Sequence, residues 1–163
     1  MTEFRELGRE SALEIRDFIH PIWHEAYDPI LVGGAESAEK FFHRFTGKDA
    51  VLAAFDRGCR YWEIVVDGEV AGIIAAEVTG DSLFISKLYI LGKYRHTGLA
   101  QETLEFLFGI GRKSGCTSAY LKVNSENRMA KKAYAKAGFV YESSEQNVDD
   151  DGSYCLETHR RAL

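Results

Sequence analysis

Three cysteines, Cys59, Cys116 and Cys155, are scattered along 163 residues, odd in number and without a CxxC pair. A disulfide framework is therefore not expected; the pattern suits reduced thiols, an intracellular compartment and cysteines that serve as buried filler. Positive charge is also scarce, with 20 Lys and Arg against 25 Asp and Glu and a formal net charge of −5. General nucleic-acid binding needs a basic field, so no nucleic-acid partner is expected and any bound anion must be held by a local cationic set. The longest apolar-rich run, residues 70–76, is too short to cross a bilayer, and Glu3 and Glu6 stand where a secretory signal carries its apolar core. A cytoplasmic chain with no membrane partner is the expectation. GxxxxGK[ST] is absent, and Gly109-Ile110-Gly111 falls late in a helical pattern, so neither a P-loop nor a dinucleotide fingerprint is present. His20 and His24 have the i, i+4 spacing of a helical metal site, but Pro21 disturbs the turn between them and HExxH is missing, so no metal is expected.

What is present suits one domain spanning 1–163, since 45% apolar residues can build a sizeable core. The patterning predicts a strand over 4–7, then a helix capped by Ser11 that carries Leu13, Ile15, Phe18, Ile19, Ile22 and Trp23 and is kinked or interrupted at Pro21. Residues 27–36 read as a loop, and 36–55 as helix broken at Thr46-Gly47. Asp67-Gly68 between apolar runs at 61–66 and 70–78 signals a hairpin. A strand at 83–91, an amphipathic helix at 99–113, a strand at 118–123 and a helix at 126–137 closed by Gly138 follow. Strands at 139–143 and 154–158 end the chain, with Asp149, Asp150 and Asp151 at a hairpin tip.

The most informative stretch is YILGKYRHTGLAQETL, residues 89–104. A strand, then glycine with basic and hydroxyl residues, then a helix exposes backbone N–H groups to an anion at the helix N-terminus. Lys93, Arg95 and His96 are the local cations for it. Alone, RxxGxA at Arg95 to Ala100 also describes an ordinary glycine turn. Downstream, however, N-x-x-A-x-x-x-Y-x-x-x-G-F runs from Asn127 through Ala130 and Tyr134 to Gly138 and Phe139. Asn127 and Tyr134 stand seven residues apart, two helical turns, so one ligand can meet both.

On these two motifs the chain resembles the GNAT superfamily of N-acetyltransferases, over roughly residues 63–139. The resemblance implies an α/β fold with a central mixed, mostly antiparallel sheet of six to seven strands flanked by about four helices. It implies acetyl-coenzyme A as cosubstrate, with the pyrophosphate on the loop Arg95, His96, Thr97, Gly98, Leu99 and Ala100. The pantetheine arm would lie along Leu88, Tyr89 and Ile90 and against Asn127, with Tyr134 directed at the sulfur as proton donor. The stretch after the first helix and the acidic tip resemble, more weakly, the bacterial polyamine acetyltransferases. A small amine or polyamine is then the expected acceptor, received between the 27–36 loop and the acidic tip. A protein N-terminal α-amine, or a coenzyme A-binding module without transfer, is the alternative. A homodimer is compatible with the fold.

The base is the weak point of the pattern. On the strand before the loop, the positions of acceptor-facing parity are Phe84 and Ser86, neither of which takes a proton. Glu77 on the preceding strand is the nearest acidic candidate, with Glu63, His24 and Asp28 behind it. Holding a lysine-like amine neutral at pH 7 costs about 4.6 kcal/mol, against about 1.1 for an α-amine, so a site without a strong base favours the α-amine. Arg128, Lys131 and Lys132 read as solvated surface charges.

Overall fold

The computed structural model describes residues 1–149 and 152–163, and among them seven strands and five α-helices follow one another. The strands are β1 (Thr2–Leu7), β2 (Arg60–Val66), β3 (Glu69–Thr79), β4 (Ser82–Ile90), β5 (Ser118–Asn124), β6 (Val140–Asp149) and β7 (Gly152–Ala162). The helices are α1 (Ala12–Tyr27), α2 (Gly34–Thr46), α3 (Lys48–Asp56), α4 (Leu99–Lys113) and α5 (Arg128–Lys136). One sheet results, in the order β1-β2-β3-β4-β5-β7-β6. Its described junctions are antiparallel except that of β4 with β5, which is parallel.

Alternation along the central strands sorts the core into two layers. Tyr61, Ile73 and Ala75 turn to the face covered by α1, α2 and α3, where Ile15, Ile19, Phe42 and Val51 pack. Trp62, Ile64 and Ile74 turn to the opposite face, against Leu104, Leu107 and Phe108 of α4, with Ala130 and Tyr134 of α5 at its margin. The hairpin turn between β2 and β3 has positive φ at both Asp67 and Gly68, 49° and 85°, as a two-residue primed turn requires.

A bulge in β4 decides which side chains meet which face. Ala76 pairs with Ile85 and Ala75 with Lys87, which leaves Ser86 as the extra residue. Before it, Leu83 and Ile85 face the α4 layer; beyond it, Leu88 and Ile90 do. Lys87 and Tyr89 are thereby turned to the α1–α3 side.

Several expectations need correction. Pro21 does not break α1, which runs unbroken through it. Burial of Ile19, Ile22 and Trp23 and the 2.8 Å bond from Trp23 Nε1 to the Ala38 carbonyl hold the last turns in place despite the missing N–H. Leu13 is exposed rather than core. The helix expected from 126 starts at Arg128, because Glu126 N–H is taken by Asn124 Oδ1 at 2.9 Å. β6 and β7 run well beyond the two short strands expected: polar Ser143 to Asn147 lack an apolar alternation but still complete a backbone ladder with β7. Cys59 and Cys116 are buried, whereas Cys155 is half-buried. The acidic tip at Asp150 and Asp151 lies outside the described residues.

Gly72 marks the tightest approach in the sheet centre, since a Cβ there would stand 2.5 Å from the Tyr89 carbonyl oxygen and 2.9 Å from Ile64 Cδ1. Gly72→Ala should cost about 2 kcal/mol or more, whereas Gly109→Ala, in open space on α4, should gain roughly 0.5–1 kcal/mol. Urea midpoints moving the same way in both variants would contradict this packing.

Candidate functional site

β4 and β5 pair at Ser82–Ser118, Leu83–Ala119, Phe84–Tyr120 and Ile85–Leu121, and the pairing stops there. Both strands continue, β4 to Ile90 and β5 to Asn124, so they part company and leave backbone groups facing a gap. Such groups need partners, and an extended polar chain can supply them as an added strand would. A cavity of about 810 Å³ fills this gap, walled by Ser86 to Ile90 on one side and by Leu121, Lys122 and Val123 on the other. Residues of both core layers reach it, Tyr27 and Tyr89 from one and Ala100, Ala130 and Tyr134 from the other.

The loop leaving β4 is wound by a short 3-10 turn at Gly92–Tyr94, and Thr97 Oγ1 donates to the Tyr94 carbonyl at 2.5 Å. Gly98 caps α4 in the left-handed region, φ 85°, which a side chain would strain. The first N–H groups of α4 have no intrahelical acceptors, a ready anion site. Arg95 donates to the Ile90 carbonyl at 3.3 Å and pairs with Glu25 of α1, so its guanidinium is held at the cavity wall. Arg95, His96, Gly98 and Ala100 line the cavity together with Leu88, Tyr89 and Ile90. Thr97 and Leu99 are not on the wall; they shape the loop, Leu99 from within the core. Lys93 is drawn away to Glu69, 2.9 Å, and does not join the cationic set.

Asn127 caps α5, its Oδ1 accepting from Ala130 N–H at 3.3 Å, and its side chain lies near Tyr27, whose hydroxyl is pushed above the ordinary tyrosine value by burial. Tyr134 stands two turns along on the same cavity wall. Burial, with Tyr27 nearby, pushes its hydroxyl above the ordinary tyrosine value, so it is a neutral donor across the working pH range. Tyr89 is raised likewise by burial and by the neighbouring tyrosines. Arg128 and Lys132, read from sequence as solvated, stand with Lys136 on the cavity rim, while Lys131 is tied to Glu157 at 3.2 Å.

The structure does not bring Glu77 to this wall. It pairs with Arg57 at 3.2 Å, and the cavity lining omits it, as it omits Glu63, His24 and Asp28. The side chain that reading by parity missed is Lys87. The Ser86 bulge carries it to the wall on the α1–α3 side, where Nζ donates to the Phe45 carbonyl at 3.2 Å and to Thr46 Oγ1 at 3.4 Å. No carboxylate among the described residues pairs with it. Burial, with Arg57 adding to it, brings its pKa down from 10.5 to about 8. Only a visible bulge signal in the sequence could have found it, and Ser86 offers none.

The acetyltransferase (GNAT) family model matches residues 16–139. An uncharacterised N-acetyltransferase of Lactobacillus delbrueckii subsp. lactis is 32% identical over 114 residues, which cover 64% of this chain and 66% of that protein. One from Mycobacterium bovis is 35% identical over 75 residues, 45% of this chain and 47% of that protein. The matches thus span less than two thirds of these relatives. Among solved structures, the PaiA N-acetyltransferase of Thermoplasma acidophilum in complex with coenzyme A superposes with a TM-score of 0.80 at 19% identity, covering 100% of this chain and 99% of that one. The ribosomal-protein-S18-alanine N-acetyltransferase of Escherichia coli gives 0.64 at 17% identity over 100% and 94%. At these identities the likeness is one of fold.

Asn127→Ala removes the α5 cap. A loss of about 1–2 kcal/mol in denaturant unfolding is expected, with faster amide exchange at Ala130; unchanged exchange there would contradict the capping role.

Proposed function

The chain belongs to the acetyltransferase (GNAT) family, and from that premise we propose that it transfers acetyl directly from acetyl-coenzyme A to a small α-amine bearing an anionic group. The observation that carries the acceptor half is Lys87, a cavity-wall cation without a carboxylate partner among the described residues. Support for the cosubstrate comes from the gap between β4 and β5, which suits a pantetheine arm, and from Arg95 and His96 beside the α4 N-terminus, which suit a pyrophosphate. Arg128, Lys132 and Lys136 on the rim suit the remaining phosphate. The Thermoplasma enzyme of the same fold was solved with coenzyme A.

Within this reading, Tyr134 hydrogen-bonds the departing sulfur and supplies its proton, a role that its raised pKa preserves. No described carboxylate sits where Phe84 and Ser86 leave room for a base, and Glu77 is held by Arg57 outside the cavity. An α-amine needs little help, since holding it neutral at pH 7 costs only about 1.1 kcal/mol. Lys87 repels a polycation and attracts a carboxylate or phosphonate next to the amine.

Tyr134→Phe keeps the ring and removes the hydroxyl. The kcat should fall on the order of 10²-fold with little change in acetyl-coenzyme A affinity; undiminished single-turnover chemistry would remove Tyr134 from the mechanism.

An amine panel tests the acceptor. Amino-acid-like α-amines should outperform spermidine and peptide N-termini, and Lys87→Met should raise their KM roughly tenfold, as expected for losing one hydrogen bond to a charged group. The charge on Lys87 is present below pH about 8 and lost above it. Binding of the N-acetylated product, whose own amine no longer titrates, should therefore weaken as pH rises through about 8. Lys87→Arg should abolish that dependence. Spermidine as the preferred acceptor, with Lys87→Met improving its turnover, would overturn the reading.

A further inference from the structure

Away from the cavity wall, α1 and α2 bring two histidines onto one carboxylate. His20 Nε2 lies 2.7 Å and His24 Nε2 2.5 Å from the same oxygen, Glu39 Oε2. The three atoms all lie within 4.8 Å of one another, and among the described residues no other group of three His, Cys, Asp or Glu side chains converges in this way. The i, i+4 spacing of the histidines is effective because α1 continues unbroken through Pro21, and α2 delivers Glu39 from the facing helix.

Each of two ligand side chains has a partner on its far side. His24 Nδ1 faces Asp28 Oδ1 at 2.6 Å, and Glu39 Oε1 faces His43 Nε2 at 3.0 Å. His20 is fixed edge-on against the Phe42 ring, centroids 4.6 Å apart. As hydrogen bonds these contacts require a charged His24 ring, since a neutral imidazole carries one N–H and His24 presents both nitrogens to carboxylate oxygens, while one oxygen of Glu39 serves two rings. A cation at the centre satisfies every group: both Nε2 atoms and Glu39 Oε2 turn lone pairs to it, and His24 Nδ1–H donates to Asp28. Carboxylate–histidine–metal is the arrangement by which proteins fix a ligating ring.

We propose that the α1–α2 junction is a binding site for one divalent d-block cation of the zinc class, held by His20 Nε2, His24 Nε2 and Glu39 Oε2. Asp28 and His43 orient the ligands from outside. Two imidazoles and a carboxylate suit zinc, cobalt or nickel better than calcium or magnesium, which take all-oxygen sets. Ligand atoms about 2.0–2.1 Å from a tetrahedral centre stand roughly 3.3 Å apart, so small rotations about the side-chain torsions open the present 2.5–2.7 Å spacings enough. His20 and Glu39 keep 42% and 39% side-chain exposure, which leaves a fourth position for water. The bound cation pins the last turn of α1 to α2. That turn carries Glu25, which holds Arg95, and Tyr27, which meets Asn127. Its role is to fix the framework of the acceptor side, and the site does not depend on the identity of the acceptor.

The test uses the full chain without an affinity tag, stripped with a chelator and dialysed. Zinc titration by calorimetry at pH 7.5 should give one site per chain with micromolar or tighter affinity, a rise in Tm, and visible d–d absorption on substitution with Co²⁺. His24→Gln and Glu39→Gln should each lose at least 100-fold in affinity together with the cobalt bands. Asp28→Asn, which leaves all three ligands, should lose about 10–100-fold. Circular dichroism confirms folding, and Glu39→Gln, half-exposed, serves if His24→Gln is unstable. Absence of stoichiometric binding, or binding and bands equal to wild type in both His24→Gln and Glu39→Gln, would overturn the site.

Discussion

The constraint on which the rest of the molecule depends is the early end of pairing between β4 and β5. Four residue pairs hold the two strands together at Ser82 to Ile85, after which β4 follows β3 and β5 follows β7. A sheet interior with open backbone groups is costly unless something fills it. Everything gathered at that point fits the need: the α4 N-terminus below the loop, Asn127 and Tyr134 of α5 on one side, and Tyr27 of α1 on the other. The gap lets one cavity reach both layers of the core.

The Ser86 bulge acts on that gap from within a single strand. By inserting one residue against β3 it leaves Leu88 and Ile90 in the α4 layer and turns Lys87 and Tyr89 to the opposite face. The same displacement places a lysine where a carboxylate would be sought. Its charge is neither neutralised nor freely hydrated, and burial draws its pKa to about 8. A charge so placed is screened less by solvent and salt than one on the open surface.

Helices α1 and α2 are secured at their junction by polar contacts and by packing. Trp23 is inserted between α1 and α2 with its indole N–H on the Ala38 carbonyl, and the His20, His24 and Glu39 cluster adjoins Phe42 of the same interface. The β6–β7 hairpin reaches the same region, with Tyr154 edge-on to Phe41 at 5.0 Å. Glu25 then links this assembly to Arg95 across the cavity, so the loop before α4 and helices α1 and α2 are mechanically connected.

The sequence by itself determined the order of elements, the turn at Asp67-Gly68, and the loop and helix that frame an anion, because these rest on local signals: periodicity, capping and obligatory glycine conformations. Spacing also set Asn127 and Tyr134 on one face, whereas their meeting with Arg95 and Gly98 followed only from the family resemblance and from the packing of α5 beside the loop. Only the tertiary structure decided what depends on register and on contacts between distant segments. Parity counted along β4 pointed to Phe84 and Ser86, and a single bulge, which leaves no mark in composition, brought Lys87 to the cavity wall instead. Glu77 is near in sequence pattern but is captured by Arg57, a partner twenty residues away. The helix-breaking tendency of Pro21 was outweighed by burial of its neighbours, and so His20 and His24 met a glutamate that no local spacing could have matched to them.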